Sequence, residues 1–373
     1  MIAIKSPEHY LNQDGLTGRV GEYVSPYAKR IAIITSPTAW QLTRTDIERS
    51  LAEYQVTYSL LYLRGPCTRE LIDSLADTVC DDGAQAILGI GGGRVMDAAK
   101  AVGHVTGGLP VINLPTIAAT CAAWSPISVI YDERGGHQGP LDLARLPVWV
   151  LVDSELIAKS PVRYLKAGII DGLAKWYEFS PYQRSGDGSL GLLVKAQAAR
   201  LAQQVFAHDG VQAVEDNQQQ RVTPALRNVI DGVIALAGLA NSVRDDIARI
   251  GVAHAIHNSI THHQAFHHLL HGEKVGFGLA VQGLLEYPLD ADRQELLQLL
   301  VAFDAPVTLD LLGLDVADSA TLGAIAAGVR IAPSVLARLP FEVDADRITR
   351  AILATADLNV EGIRQARLAA TAA

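Results

Sequence analysis

The chain has 373 residues, 49% of them hydrophobic and 19% charged, enough apolar surface for two packed domains rather than one core. A formal net charge of −9 speaks against a nucleic-acid partner, whose binders carry a basic face. Three cysteines, Cys67, Cys80 and Cys121, form no CxxC pair and are odd in number, which fits reduced thiols in a cytoplasmic protein better than a disulfide framework.

In chain order, MIAIKSPEHY lacks a basic region followed by an apolar stretch, so no secretory signal is expected. RIAIITS (30–36) reads as a strand followed by turn residues, and VTYSLLYL (56–63) as a second strand. Residues 68–83 have helical spacing and stop at Gly83; AILGI (86–90) is a buried strand, 94–107 a helix and 109–116 a further strand. This alternation implies a parallel sheet covered by helices. Near Ser160 the pattern changes to long helical segments, over 162–179, 189–207 and 225–243, with SGDGS (185–189) as a loop. The expected division is therefore an α/β domain over 1–159 and a helical domain over 160–373. The closing RLAATAA is weakly patterned, and no apolar run is long enough and free enough of charge to span a membrane.

Between strand and helix, LGIGGGRVMDAAK (88–100) places Gly91, Gly92 and Gly93 where backbone can approach a ligand without Cβ atoms in the way. The amides opening the next helix have no internal partners, so the turn suits a diphosphate. The spacing departs from GxGxxG, and three glycines here also fit an ordinary tight turn. Asp97 reads as a charge in the first helical turn or a cofactor contact, and Arg94 as facing phosphate or solvent.

Seven of the 11 histidines lie in VAHAIHNSITHHQAFHHLLHGEKVGFG (252–278). His254 and His257 are spaced i, i+3; His263 and His267, and His267 and His271, are spaced i, i+4, so several pairs share a helix face and any of them suits a metal.

The glycine turn, LPTIAATCAAWSPISVIYDERG (114–135), GIIDGLAKWYE (168–178), VAHAIHNSIT (252–261) and HGEKVGFG (271–278) occur in an order that resembles the iron-containing (group III) alcohol dehydrogenase superfamily. The resemblance runs over nearly the whole chain. It is nearest to the glycerol-dehydrogenase-like branch, and within it to bacterial hydroxycarboxylate dehydrogenases. It implies an N-terminal α/β dinucleotide-binding domain, an all-α C-terminal domain (the dehydroquinate-synthase-like fold) and an active site in the cleft between them. It implies metal ligands at Asp171, His254 and His271, which leave an open coordination position as catalytic zinc sites do, although the set also suits Fe²⁺. Other branches have a ligand histidine four residues after the aspartate. Here Lys175 stands there, which favours a three-ligand site and zinc. Ile170 replaces the glycine that relatives have before the aspartate, which bears on how Asp171 is presented.

The resemblance further implies that Gly92, Gly93 and Asp97 contact a nicotinamide dinucleotide around its diphosphate and ribose. Thr116, Ala119, Ser125, Ile127 and Tyr131 line its nicotinamide half. Ordinary roles are turn capping for Thr116 and Ser125 and hairpin packing for Tyr131. The first predicted strand ends in Thr35, Ser36 and Pro37 with no acid, so a 2′-phosphate is tolerated and NADP is favoured over NAD. His262, His263, His267 and His268 are expected to be polar helix-end or loop residues. His257 is a satisfied cleft histidine or a proton relay from the substrate oxygen.

Glycerol dehydrogenases have an aspartate in the segment where this chain has Cys121, a weak hydrogen-bond partner uncharged at neutral pH. An acid removed there and Lys175 gained both favour an anionic substrate, a small 2-oxo or 2-hydroxy acid, unless Lys175 pairs with Glu178 instead. The alternatives are a polyol dehydrogenase, a dehydroquinate-synthase-like cyclase, for which the metal region is poor in Lys and Arg, and a non-catalytic nucleotide-binding module. A small-molecule substrate and a homo-oligomer are expected, with no membrane partner.

Overall fold

The structure, a computed structural model, describes residues 2–286 and 291–372. The first half contains strands β1 (Ile2–Ile4), β2 (His9–Gln13), β3 (Arg30–Thr35), β4 (Thr57–Tyr62), β5 (Ala86–Gly91), β6 (Val111–Pro115), β7 (Ile127–Tyr131), β8 (His137–Asp142) and β9 (Trp149–Asp153). Its helices are α1 (Val20–Val24), α2 (Pro37–Glu53), α3 (Arg69–Asp81), α4 (Gly93–Val105) and α5 (Ser154–Ala158). Six strands form one parallel sheet in the order β2-β9-β6-β5-β3-β4, and β7 and β8 pair as an antiparallel hairpin.

The sheet is covered on both faces, which explains its apolar strands. Along β3, Ile31 and Ile33 enter one core cluster while Ala32 and Ile34 enter the other. A Cβ on Gly89 would stand 2.7 Å from that of Ala99, so a glycine is what lets α4 lie close to β5. From β5 the chain adds strands on one side, and from β3 on the other. The carboxyl ends of these two strands therefore flank a topological switch point, where open α/β sheets bind ligands.

The predicted strands and helices of the first half are present with ends shifted by at most two residues. One segment differs. After β3 there is no mere turn but the 17-residue helix α2, started by Ser36, whose hydroxyl accepts from the Ala39 amide, with Pro37 in the first helical position.

The second half is helical: α6 (Val162–Arg184), α7 (Leu190–Gln218), α8 (Pro224–Asp231), α9 (Ala237–Ser242), α10 (Val252–Ile260), α11 (His271–Glu286), α12 (Ala291–Ala302) and further helices beyond. The segment expected as one helix over 225–243 is divided by a π-helical stretch, Gly232–Leu236, and ends in a short strand, β10 (Val243–Asp245). β10 crosses back to pair with β1. The expected boundary at 159/160 falls in the turn between α5 and α6, while one apolar cluster is continuous from β3 through α6 to α11. The closing RLAATAA continues a helix as far as Ala372; Ala373 lies outside the described residues. Among the described residues, no helix is long and apolar enough to cross a membrane.

Candidate active site

Helices α6, α10 and α11 meet where their sequences supply glycine. A Cβ on Gly272 would lie 1.9 Å from the Ala167 carbonyl oxygen, and one on Gly278 would lie 2.4 Å from that of Ala253. These close approaches bring Asp171 from α6, His254 from the first turn of α10 and His271 from the start of α11 together. One ligand atom from each lies within 4.8 Å of the others. His254 Nε2 is 3.2 Å from Asp171 Oδ1, and His271 Nε2 is 3.4 Å from the same oxygen. Ile170, which stands before Asp171 where relatives have glycine, is buried beside Gly276, where an added Cβ would meet its Cγ2 at 3.0 Å. The extra side chain fills space that Gly276 leaves open.

A residue outside the expected set orients the cluster. Glu178 Oε2 accepts from His254 Nδ1 at 2.7 Å, and Oε1 accepts from the His254 amide at 2.8 Å. With Nδ1 engaged, Nε2 is the atom turned toward Asp171, the carboxylate–histidine arrangement that metal sites use to fix tautomer and ring. Burial disfavours the Asp171 charge, but Lys175 and the His271 and His254 rings outweigh it and hold the carboxyl well below its ordinary range. Burial lowers His271 from its ordinary value, with Asp171 opposing. An ionised carboxylate, a neutral imidazole and an oriented imidazole fit a divalent ion.

Lys175 differs from both roles weighed for it. Its Nζ donates to Asp171 Oδ1 at 3.1 Å and lies 3.2 Å from His254 Nε2, rather than pairing with Glu178 or standing free for a substrate. It is buried, and its amine is a cationic neighbour of the ligands, not a fourth ligand. His257 also departs from its relay role. It does not line the cavity; its ring packs edge-on against that of His271 at 4.3 Å, and Nδ1 meets Asn258 Oδ1 at 3.0 Å. Burial, then His271 and His254, hold it neutral, well below its ordinary value. His262, His263, His267 and His268 lie in the connection between α10 and α11, and the His267 and His268 rings bond the Thr261 and Ala265 carbonyl groups.

The cluster opens on a cavity of about 1300 Å³ that runs from α2 and the glycine turn to α6 and α10. All eight residues expected at the cofactor line it: Gly92, Gly93, Asp97, Thr116, Ala119, Ser125, Ile127 and Tyr131. Gly92 precedes α4 without a side-chain cap, so the first-turn amides meet no capping side chain and suit a diphosphate. Added Cβ atoms at Gly92 and Gly93 would meet Ile117 at 2.9 Å and the Thr120 hydroxyl at 3.1 Å. Asp97 lies in the second turn of α4 rather than the first, and is paired with the buried Lys100 at 3.1 Å. Ser36 and Thr38 bring no acid to the far end; Asp46, a lining carboxylate further along α2, pairs with Arg49.

Cys121 lines the cavity beside the cluster, receives a hydrogen bond from Asn241 Nδ2 at 3.4 Å, and is pushed up to about 11 by burial, so its thiol stays uncharged. Lys195, Arg244 and Arg249 also line the cavity, and nothing in the sequence marked them, because α7 and the segment before α10 reach this wall only through tertiary packing.

Comparison with known proteins agrees with this arrangement. The profile described as iron-containing alcohol dehydrogenase matches residues 7–154. A glycerol dehydrogenase of Pseudomonas putida is 34% identical over 311 residues, 82% of this chain and 84% of that protein. Hydroxycarboxylate dehydrogenase A of Escherichia coli K12 is 38% identical over 231 residues, 60% of this chain and 62% of that protein. The crystal structure of a glycerol dehydrogenase from Schizosaccharomyces pombe superposes with a TM-score of 0.84 at 28% identity, covering 98% of this chain and 92% of that one. With a relative 34% identical over 82% of its length, the family profile over its first half, a switch-point cavity and three candidate metal ligands on three helices, the chain belongs to the iron-containing alcohol dehydrogenases, in their glycerol-dehydrogenase-like branch, and is an oxidoreductase.

Proposed function

We propose that the protein transfers a hydride between a nicotinamide dinucleotide and the alcohol carbon of a small 2-hydroxy acid, or in reverse reduces the 2-oxo acid. The observation that carries the anionic substrate is the state of the cavity's acids. Asp46, Asp97, Glu155 and Asp171 pair with Arg49, Lys100, Lys159 and Lys175, and Glu178 is held by His254. Asp153 is used by the Thr17 hydroxyl and the Gly15 and Thr17 amides. Among the described residues, no lining carboxylate is left unpaired to bind polyol hydroxyls or repel an anion, and Cys121 adds no charge.

When bound, a divalent ion would supply Lewis-acid polarisation of the substrate oxygen and a nicotinamide would give or take the hydride. Asp171, His254 and His271 would hold the ion, zinc being the better fit to three N and O ligands. Glu178 fixes the His254 ring. Lys175 keeps Asp171 ionised. The glycine turn and the β7 side of the cavity hold the dinucleotide, and the two walls exclude water from the reacting carbons. The acid-free end at Ser36 and Thr38 supports NADP over NAD.

The polyol reading has its own support, since the glycerol dehydrogenase of Pseudomonas putida aligns over more of the chain than the hydroxycarboxylate dehydrogenase does. Steady-state kinetics with a 2-oxo acid, an uncharged aldehyde and glycerol, each with both cofactors, separate the two. The expected order places the 2-oxo acid with NADPH first in kcat/KM. A higher kcat/KM for glycerol contradicts it.

A further inference from the structure

We propose that Lys195, in the second turn of α7, binds the substrate carboxylate and sets the preference for acids over neutral alcohols. The inference rests on the anionic-substrate reading above and assigns that preference to a residue.

On the side formed by α7, β10 and the segment before α10, three cations line the cavity, Lys195, Arg244 and Arg249, and two are already committed. The Arg249 side chain is 1% exposed and holds Asp245 through two contacts at 2.8 and 2.9 Å, Asp187 at 2.9 Å and the Ser189 hydroxyl at 2.6 Å. Arg244 pairs with Asp142 at 3.1 Å. Lys195 has no hydrogen bond or ion pair among the described residues. Its Nζ rests over the Phe179 ring, 5.5 Å from the centroid. Asp245 is the acid nearest in influence, but both its oxygens are occupied by Arg249.

This is a half-buried amine with an aromatic rest and no counter-ion, in a cavity whose acids are all engaged. A carboxylate is the group it lacks. Phe179 directly follows Glu178, the residue that orients His254, so the amine's resting place is tied to the ligand-bearing helix. The mount is rigid. Arg249 ties the loop before α7, the first residue ahead of that helix and β10 into one network, on the segment that leads to His254. Burial pulls the Lys195 amine down to about 8, with Asp245 opposing and Arg249 and Arg244 adding to the fall; an anion alongside would restore its charge.

Lys195 is the cation of this wall without an acidic partner among the described residues, so Lys195→Met and Lys195→Arg are the informative variants. Each is assayed beside the native enzyme with a 2-oxo acid and an uncharged aldehyde. Lys195→Met should raise KM for the 2-oxo acid tenfold or more with kcat changed far less, and leave kcat/KM for the aldehyde within a factor of about two. Lys195→Arg should recover most of the loss. Equal losses on both substrates indicate a structural role and overturn the assignment. So does an unchanged KM in Lys195→Met while the native enzyme still prefers the acid, which leaves the hydroxy-acid reading standing. A native enzyme that prefers glycerol overturns the reading and the assignment together.

Discussion

Glu178 uses both carboxylate oxygens on His254, one on the ring and one on the amide, and that fixes what the residue offers a metal. Glu178→Gln keeps the shape but weakens the pull on Nδ1–H. Metal affinity should fall roughly 10- to 100-fold in a chelator competition, while far-ultraviolet circular dichroism stays unchanged. A second residue-scale prediction concerns acid. Burial, then His271, His262 and His254, lower His137 to about 4, below an unfolded value near 6.5. Below that unfolded value the unfolded chain binds the proton and the folded chain does not. Stability from this group is therefore complete above about pH 6.5 and is lost as pH falls toward about pH 4. The urea midpoint should drop between about pH 7 and about pH 5, and less steeply in His137→Asn; parallel slopes would assign the acid sensitivity elsewhere. At this scale the clustering of Asp171, His254 and His271 was legible, since an ordered set of short motifs carried them. Glu178, Lys195 and Arg249 were not. Their meaning lies in which distant side chain each meets, and Glu178 and His254 are 76 residues apart.

Among the elements, α6 shows how glycine places chemistry. Gly168 and Gly172 are one turn apart on either side of the approach to Asp171. A Cβ on Gly168 would stand 2.1 Å from the Ala118 carbonyl oxygen, and one on Gly172 would stand 2.5 Å from Phe206. Gly168→Ala must displace backbone in the segment that also carries Cys121. It should cost about 1–3 kcal/mol, read as a lower melting temperature, together with a fall in kcat. An unchanged melting temperature would mean that this contact yields. At the glycine turn, Gly92→Val adds bulk where Ile117 already stands 2.9 Å from a Cβ. The cofactor KM should rise strongly with the fold retained, and an unchanged KM would remove the diphosphate from this turn. Strands β3, β4, β5 and β6 were readable from their apolar, β-branched runs, whereas the edge strand β2, HYLNQ, carries no such run and β9 was not named. Helix α2 was passed over as a turn although Ser36 and Pro37 carry a start signal. The π-helical break was not readable at all. There Gly232 faces the Phe206 ring, at 2.7 Å from a Cβ, and that ring comes from another helix.

For the molecule as a whole, the glycine turn and the three ligands come from opposite halves of the chain, and a single cavity connects them. The proposed preference for NADP rests on the far end of that cavity, lined by Ser36 and Thr38. Ser36→Asp retains a helix-capping oxygen and adds a charge that opposes a 2′-phosphate. The NADP-over-NAD ratio of kcat/KM should fall by about tenfold, roughly 1.4 kcal/mol. A ratio that does not move would place the ribose elsewhere. The metal remains the centre of the account. The most direct test is metal content measured by mass spectrometry on gently purified protein, followed by chelation and titration with zinc, for the native chain and His271→Ala. One ion per native chain, none in the variant, and turnover that returns in proportion to the zinc bound is the predicted result. Full turnover by chelated, metal-free native protein would contradict it.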